Sequence, residues 1–166
     1  MKLSSYFAVL IAGLLCSSQV WAGTAADDIS VSDPYVRAMP PGQPTSLAFM
    51  GITNNSDKDH VLLDAEGTVA KMVELHTHTM KDGMMHMHKV EKVDLPAGKK
   101  VMLQSGGLHV MLMGLKQDLK PGDQVSISLV FEDGSKKKLD VLVRKIKMMM
   151  KKQDAMKSGH SMPMKH

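Results

Sequence analysis

The chain has 166 residues, 43% of them hydrophobic, 23% charged and only 4% aromatic. That is the length of one ordinary domain with appendages, apolar enough to pack a core, and too poor in rings for a nucleic-acid binder that works by base stacking. The formal charge of +4 is unevenly placed: from Arg144 onward seven Lys and Arg face a single acid, Asp154, whereas residues 23–143 carry 13 Lys and Arg against 16 Asp and Glu.

The N-terminal residues 1–22 read as a secretory signal peptide. Lys2 supplies the positive start, Tyr6 to Cys16 a short apolar region, and Val20-Trp21-Ala22 a cleavage site. The apolar region falls well short of the roughly 18 residues that span a bilayer, so no stable membrane insertion is expected. Leu14 and Leu15 before Cys16 make a poor lipoprotein signal, so Cys16 is expected to leave with the leader. The mature chain would begin near Gly23 without a thiol, which excludes disulfides and cysteine nucleophiles.

Period-two alternation then recurs along residues 23–144. Ser46 to Ile52 is one such stretch. Lys71 to Thr79 sets Val73, Leu75 and Thr77 on one face and Glu74, His76 and His78 on the other. Val125, Ile127, Leu129 and Phe131 alternate with Gln124, Ser126, Ser128 and Val130, and Leu139, Val141 and Val143 form a last set. Turn signals punctuate them: Pro40-Pro41-Gly42, Asn54-Asn55, Pro96-Ala97-Gly98, Gly106-Gly107, Pro121-Gly122-Asp123 and Asp133-Gly134. This pattern predicts one all-β domain, an antiparallel sandwich or barrel. Lys81-Asp82-Gly83 is expected to close a tight hairpin, bringing His76 to Met80 near Met84 to His88. From residue 145 the alternation stops. The remaining stretch, 145–166, interleaves Met and His with Lys, Ser, Gly and Pro and is read as a flexible tail.

Seventeen methionines and eight histidines are the compositional anomaly. A thioether is a poor ligand for hard cations and a good one for Cu(I), while imidazole binds copper in both oxidation states. Neither competes strongly with protons near pH 7. On a strand, His109 and Met111 share one face while Val110 and Leu112 take the other. His76 likewise faces away from Val73 and Leu75. Met85 and Met87 share a face of the second hairpin arm, with His86 and His88 on its reverse.

The spacing of His76, ten residues, Met87, twenty-one residues, His109, one residue and Met111 resembles the signature of the periplasmic copper chaperones called PCu(A)C. The flanking Val73-Glu74-Leu75-His76, Leu95-Pro96-Ala97-Gly98, Gly106-Gly107-Leu108-His109-Val110-Met111-Leu112-Met113-Gly114-Leu115, Leu119-Lys120-Pro121-Gly122-Asp123 and Phe131-Glu132-Asp133-Gly134 resemble that family too, over residues 29–143. The resemblance implies a cupredoxin-like Greek-key β fold and an exposed Cu(I) site made by His76, Met87, His109 and Met111. It also implies a place in the bacterial periplasm and delivery of copper to the copper-bearing subunit of a respiratory oxidase, alongside a Sco-type thiol protein. A buffering or resistance protein that sequesters copper without specific delivery is the alternative. Without a thiolate, the site is not that of a blue-copper electron carrier. Four neutral ligands would leave the Cu(I) charge uncompensated, and no catalysis is expected.

The remaining candidates carry plainer readings as well. Met50, Met72, Met102 and Met113 are expected as core filler. Met85 is a substitute for Met87. His78, His86 and His88 stand open between extra Cu(II) ligands, groups supporting the site and solvated residues. His60 is read as polar surface. Met148, Met149, Met150, Met156, Met162, Met164, His160 and His166 in the tail are read as further copper ligands, Cu(II) included, against the alternative of a solvated basic end.

Overall fold

The computed structural model describes residues 23–145. The expected leader, 1–22, and the expected tail beyond residue 145 lie outside the described residues. After a single helical turn, α1 (Ala25–Asp28), the chain forms β1 (Ile29–Arg37), β2 (Thr45–Asn54), β3 (His60–Gly67), β4 (Ala70–Lys81) and β5 (Met84–Lys89). It continues with β6 (Val93–Leu95), β7 (Lys100–Leu103), β8 (His109–Leu115), β9 (Gln124–Phe131) and β10 (Lys136–Arg144). The strands are hydrogen-bonded in the order β5-β4-β8-β2-β1-β10-β9-β3-β6, and β7 adds to β2. The protein is thus all-β, as the alternation predicts. One ladder departs from the antiparallel expectation: β1 and β10 run parallel.

Alternation determines what each strand buries. In β9, Val125, Ile127, Leu129 and Phe131 are buried, and in β10 Val141 and Val143. In β4 Leu75 points inward, and in β8 Val110 and Leu112. These side chains, from both ends of the strand order, join Leu62, Ile52 and Leu95 in one core. The sheet therefore curls over itself as a sandwich around a single apolar layer.

Strands whose sequence lacks clean alternation carry irregularities. β1 holds Asp33-Pro34, and its pairing with β2 shifts register between Ser32 and Tyr35, with Asp33 at φ 46°. β3 shifts between Leu62 and Asp64. A bulge inserts one residue and breaks the period of two, which is why these strands give a weak pattern.

Three expectations are corrected. Of the methionines expected as core, Met50 is buried, but Met72 and Met102 are 55% and 45% exposed. They occupy outward positions of β4 and β7, so the alternation of their own strands excludes them from the core. His60 is buried, not surface. Its Nδ1 lies 2.6 Å from Glu132 Oε1 and its Nε2 3.0 Å from Asp28 Oδ2.

Candidate metal centre

The β4–β5 hairpin turns through Asp82 at φ 53° and Gly83 at φ 75°, the left-handed pair of a type I′ turn. This turn sets the register that places Met87 opposite His78 and Met85 opposite Met80. On the other side of β4, β8 places His109 opposite His76 and Met111 opposite Glu74. Period two then puts Met85 and Met87, then Glu74, His76 and His78, and then His109 and Met111 on one face of three adjacent strands. That is the face away from the core. His86 and His88 pair with Thr79 and Thr77 and sit on the reverse side, exposed.

His109 is only 1% exposed, although it lies on the outward face. A row of rings covers it. Phe49 of β2 stands 6.4 Å from His109 between ring centres and is itself covered by Tyr35 of β1 at 5.3 Å. On the β4 side, the His78 ring stacks on His109 at 5.0 Å and His76 lies at 6.0 Å.

The hydrogen bonds assign the free nitrogens. His109 Nδ1 is 2.9 Å from the Gly107 carbonyl, which can only accept, so Nδ1 carries the proton and Nε2 is a bare lone pair. His76 Nε2 is 2.9 Å from Glu74 Oε2 and donates to it, which leaves Nδ1 as the lone-pair nitrogen of the neutral ring. His109 Nε2, His76 Nδ1 and His78 Nδ1 are all buried without a hydrogen-bond partner. Buried polar atoms are nearly always paired, so three orphaned imidazole nitrogens on one face are a ligand-seeking arrangement. Burial, together with the neighbouring His78 and His76, holds the His109 imidazole below its ordinary 6.5, in the neutral form that binds metal.

The sulfurs differ in access. Met87 is 42% exposed and Met111 half-buried, whereas Met85 is 60% exposed. Among the described residues no three His, Cys, Asp or Glu side chains already converge on one point. A centre here is therefore closed by thioether sulfur or by turning of the rings.

Glu74 is the group that ligand spacing alone overlooks. Its carboxylate accepts from His76 and, at 2.9 Å, from Lys89 Nζ. The bonds from His76 and from Lys89 hold its pKa below the ordinary carboxylate value against the opposing effect of burial. A carboxylate, itself paired with Lys89, thus borders the candidate ligand set beside the four neutral donors. The signal for it was its place two residues before His76, on the same strand face.

Comparisons with known proteins bear on the family and the fold. Residues 29–143 match the family model described as "Putative lipoprotein LpqE-like". The chain belongs to the LpqE-like family. It is 33% identical over 123 residues to "Putative lipoprotein Lxx21020" of Leifsonia xyli subsp. xyli, covering 74% of this chain and 73% of that protein. Among solved structures, DR1885 from Deinococcus radiodurans matches in its apo form at 34% identity and TM-score 0.58, covering 88% of this chain and 97% of that one. Its CuI form matches at 37% identity and TM-score 0.56, covering 70% and 76%. The copper-bound PCuAC domain from PmoF2 superposes with TM-score 0.61 at 22% identity, covering 72% of this chain and 94% of that domain, a likeness of fold. The PCu(A)C resemblance drawn from the four spaced ligands is borne out at the level of the fold.

The structure thus gathers His76, His109, Met87 and Met111 on one face and adds His78 and Glu74. Met85 lies beside them at the hairpin end, while His86 and His88 lie apart. Met148, Met149, Met150, Met156, His160, Met162, Met164 and His166 fall outside the described residues.

Proposed function

We propose that this protein is an exported copper chaperone of the bacterial periplasm. It holds Cu(I) through His76, Met87, His109 and Met111 and passes it to the copper-bearing subunit of a respiratory oxidase, alongside a Sco-type thiol protein. The observation that carries this reading is the trio of buried, unpartnered imidazole nitrogens on the strand face that also bears Met87 and Met111. Soft neutral sulfur beside imidazole favours Cu(I) over harder ions. A CuI form of DR1885, 37% identical to this chain, supports the choice of cargo, and the lipoprotein named among the relatives supports export.

A carrier must release what it binds. Met87 stands at the solvent-exposed rim, so a partner's ligand can displace it first while His109 holds the ion from beneath. Glu74 keeps His76 in one tautomer throughout, which spares reorganisation at the moment of transfer.

Under reducing conditions, Cu(I) is expected to bind tightly at this site, and the double variant Met87→Leu with Met111→Leu to lose that binding by competition with a Cu(I) chelator. Unchanged affinity would remove the site assignment. Delivery is read from oxidase activity in a deletion strain: loss that excess copper restores supports it. A second reading, copper buffering, is favoured by the exposed methionines Met80, Met84 and Met85 on the same hairpin. It predicts copper sensitivity with normal oxidase activity.

A further inference from the structure

His78 lies outside the four-ligand set, yet it has the surroundings of a ligand. Its Nδ1 is buried and unpartnered, its ring stacks on His109 at 5.0 Å, and it pairs across the hairpin with Met87. A solvated surface histidine would turn this nitrogen to water. A structural one would find a carbonyl or hydroxyl, as His109 Nδ1 does with Gly107.

The ring separations point the same way. Two imidazoles sharing one first-row ion, with metal–nitrogen bonds of about 2.0 Å, stand with ring centres roughly 4.5–5 Å apart when the angle at the ion is about 90–109°, the lower end being the tetragonal angle Cu(II) prefers. His78 and His109 meet that spacing. His76 and His109, at 6.0 Å, suit a wider angle at the ion. His78 is therefore near enough to His109 to share an ion once the two rings, now stacked with 27° between their planes, turn their free nitrogens toward it.

We propose that His78 is a third imidazole donor, and that the same face serves two donor sets: His76, His109, Met87 and Met111 for Cu(I), and, once the rings turn their free nitrogens onto one point, His76, His78 and His109 for Cu(II). This rests on the reading of that face as the copper site. Thioethers serve Cu(II) poorly, whereas imidazole serves both oxidation states, so a third nitrogen is what a divalent ion lacks in the four-ligand set. No electron transfer is involved; each oxidation state binds as it is supplied.

The test uses the full chain carrying His160→Gln and His166→Gln, so that tail imidazoles do not contribute, loaded with one equivalent of Cu(II). Pulsed electron paramagnetic resonance on this protein is expected to count three imidazole nitrogens. Adding His78→Phe, which keeps a ring against His109, is expected to reduce the count to two. It should also weaken Cu(II) about 10–100-fold in chelator competition, at least the cost of losing a supporting group. Cu(I) affinity should shift by less than about threefold, and His88→Phe should leave both unchanged. Two nitrogens in the unsubstituted His78 protein, or undiminished Cu(II) affinity in His78→Phe, would overturn the proposal. The nitrogen count needs no His78 variant to fold. If Met87→Leu with Met111→Leu instead retains Cu(I), the four-ligand reading fails separately, while the Cu(II) count still judges His78.

Discussion

Glu74 gives the protein its control over His76. An imidazole can offer either nitrogen, and the bond from Nε2 to the Glu74 carboxylate chooses Nδ1 as the free donor. The same carboxylate, shared with Lys89, stands beside the position of the cation the site would hold. Glu74→Gln keeps an acceptor but removes the charge and lets the amide turn. It is expected to lower Cu(I) affinity about tenfold, measured by chelator competition, with little change in unfolding midpoint. His109 is governed differently. Its tautomer is set by the Gly107 carbonyl, and its neutrality by burial under Phe49, His76 and His78. Neither depends on a carboxylate partner, in contrast to His76.

The β4–β5 hairpin shows how a weakly held element can still position a side chain, here Met87 of the proposed site. Every residue of β5 is exposed, so this strand adds nothing to the core. Its place depends on the ladder to β4 and on a turn that needs positive φ at both Asp82 and Gly83. A side chain at Gly83 would meet nothing within 4 Å, so substitution there acts through backbone conformation alone. A β-branched residue in that region costs on the order of 1–3 kcal/mol. Gly83→Val is therefore expected to loosen the hairpin and weaken Cu(I) binding about tenfold. The global unfolding midpoint should move little, because the core does not include β5. Amide exchange that accelerates in residues 78–88 and nowhere else would match this outcome.

Across the whole molecule, His60 ties together parts far apart in sequence. It joins the start of β3 to Asp28 at the end of α1 and to Glu132 after β9. The hydrogen bond to Glu132 raises the His60 pKa above its ordinary 6.5, outweighing burial, with Asp28 adding to the rise. Burial alone would push Glu132 up, but bonds from His60 and from the Val61 amide bring it below its ordinary 4.5. A raised histidine stabilises fully below pH 6.5, and its contribution fades as pH climbs through the folded value. A lowered carboxylate stabilises fully above pH 4.5 and fades as pH falls through its own. Both act together between these limits. His60→Gln is expected to cost about 1–3 kcal/mol at pH 6 and progressively less toward pH 9. Urea unfolding at both pH values checks the convergence; a cost that does not change with pH would place the clamp's strength in packing instead.

The β class and the strand faces were legible in the amino-acid order, because the face a side chain takes on a strand depends only on its parity, while the four candidate ligands came from a spacing that resembles the PCu(A)C signature. Parity put Leu75 inward and His76 outward, and it separated Met87 from His88. What surrounds an outward residue is another matter, since it depends on which strand lies alongside and what covers that face. Pairing of β4 with both β5 and β8 brought His78 against His109, and the ring row from Tyr35 and Phe49 buried it. Long-range contacts likewise turned a loop-edge histidine, His60, into a buried clamp. Those contacts join residues from about ten to more than seventy positions apart, so no local period announces them, and only the folded chain decides which imidazoles stand unpartnered on one face, which act as clamps and which are left to solvent.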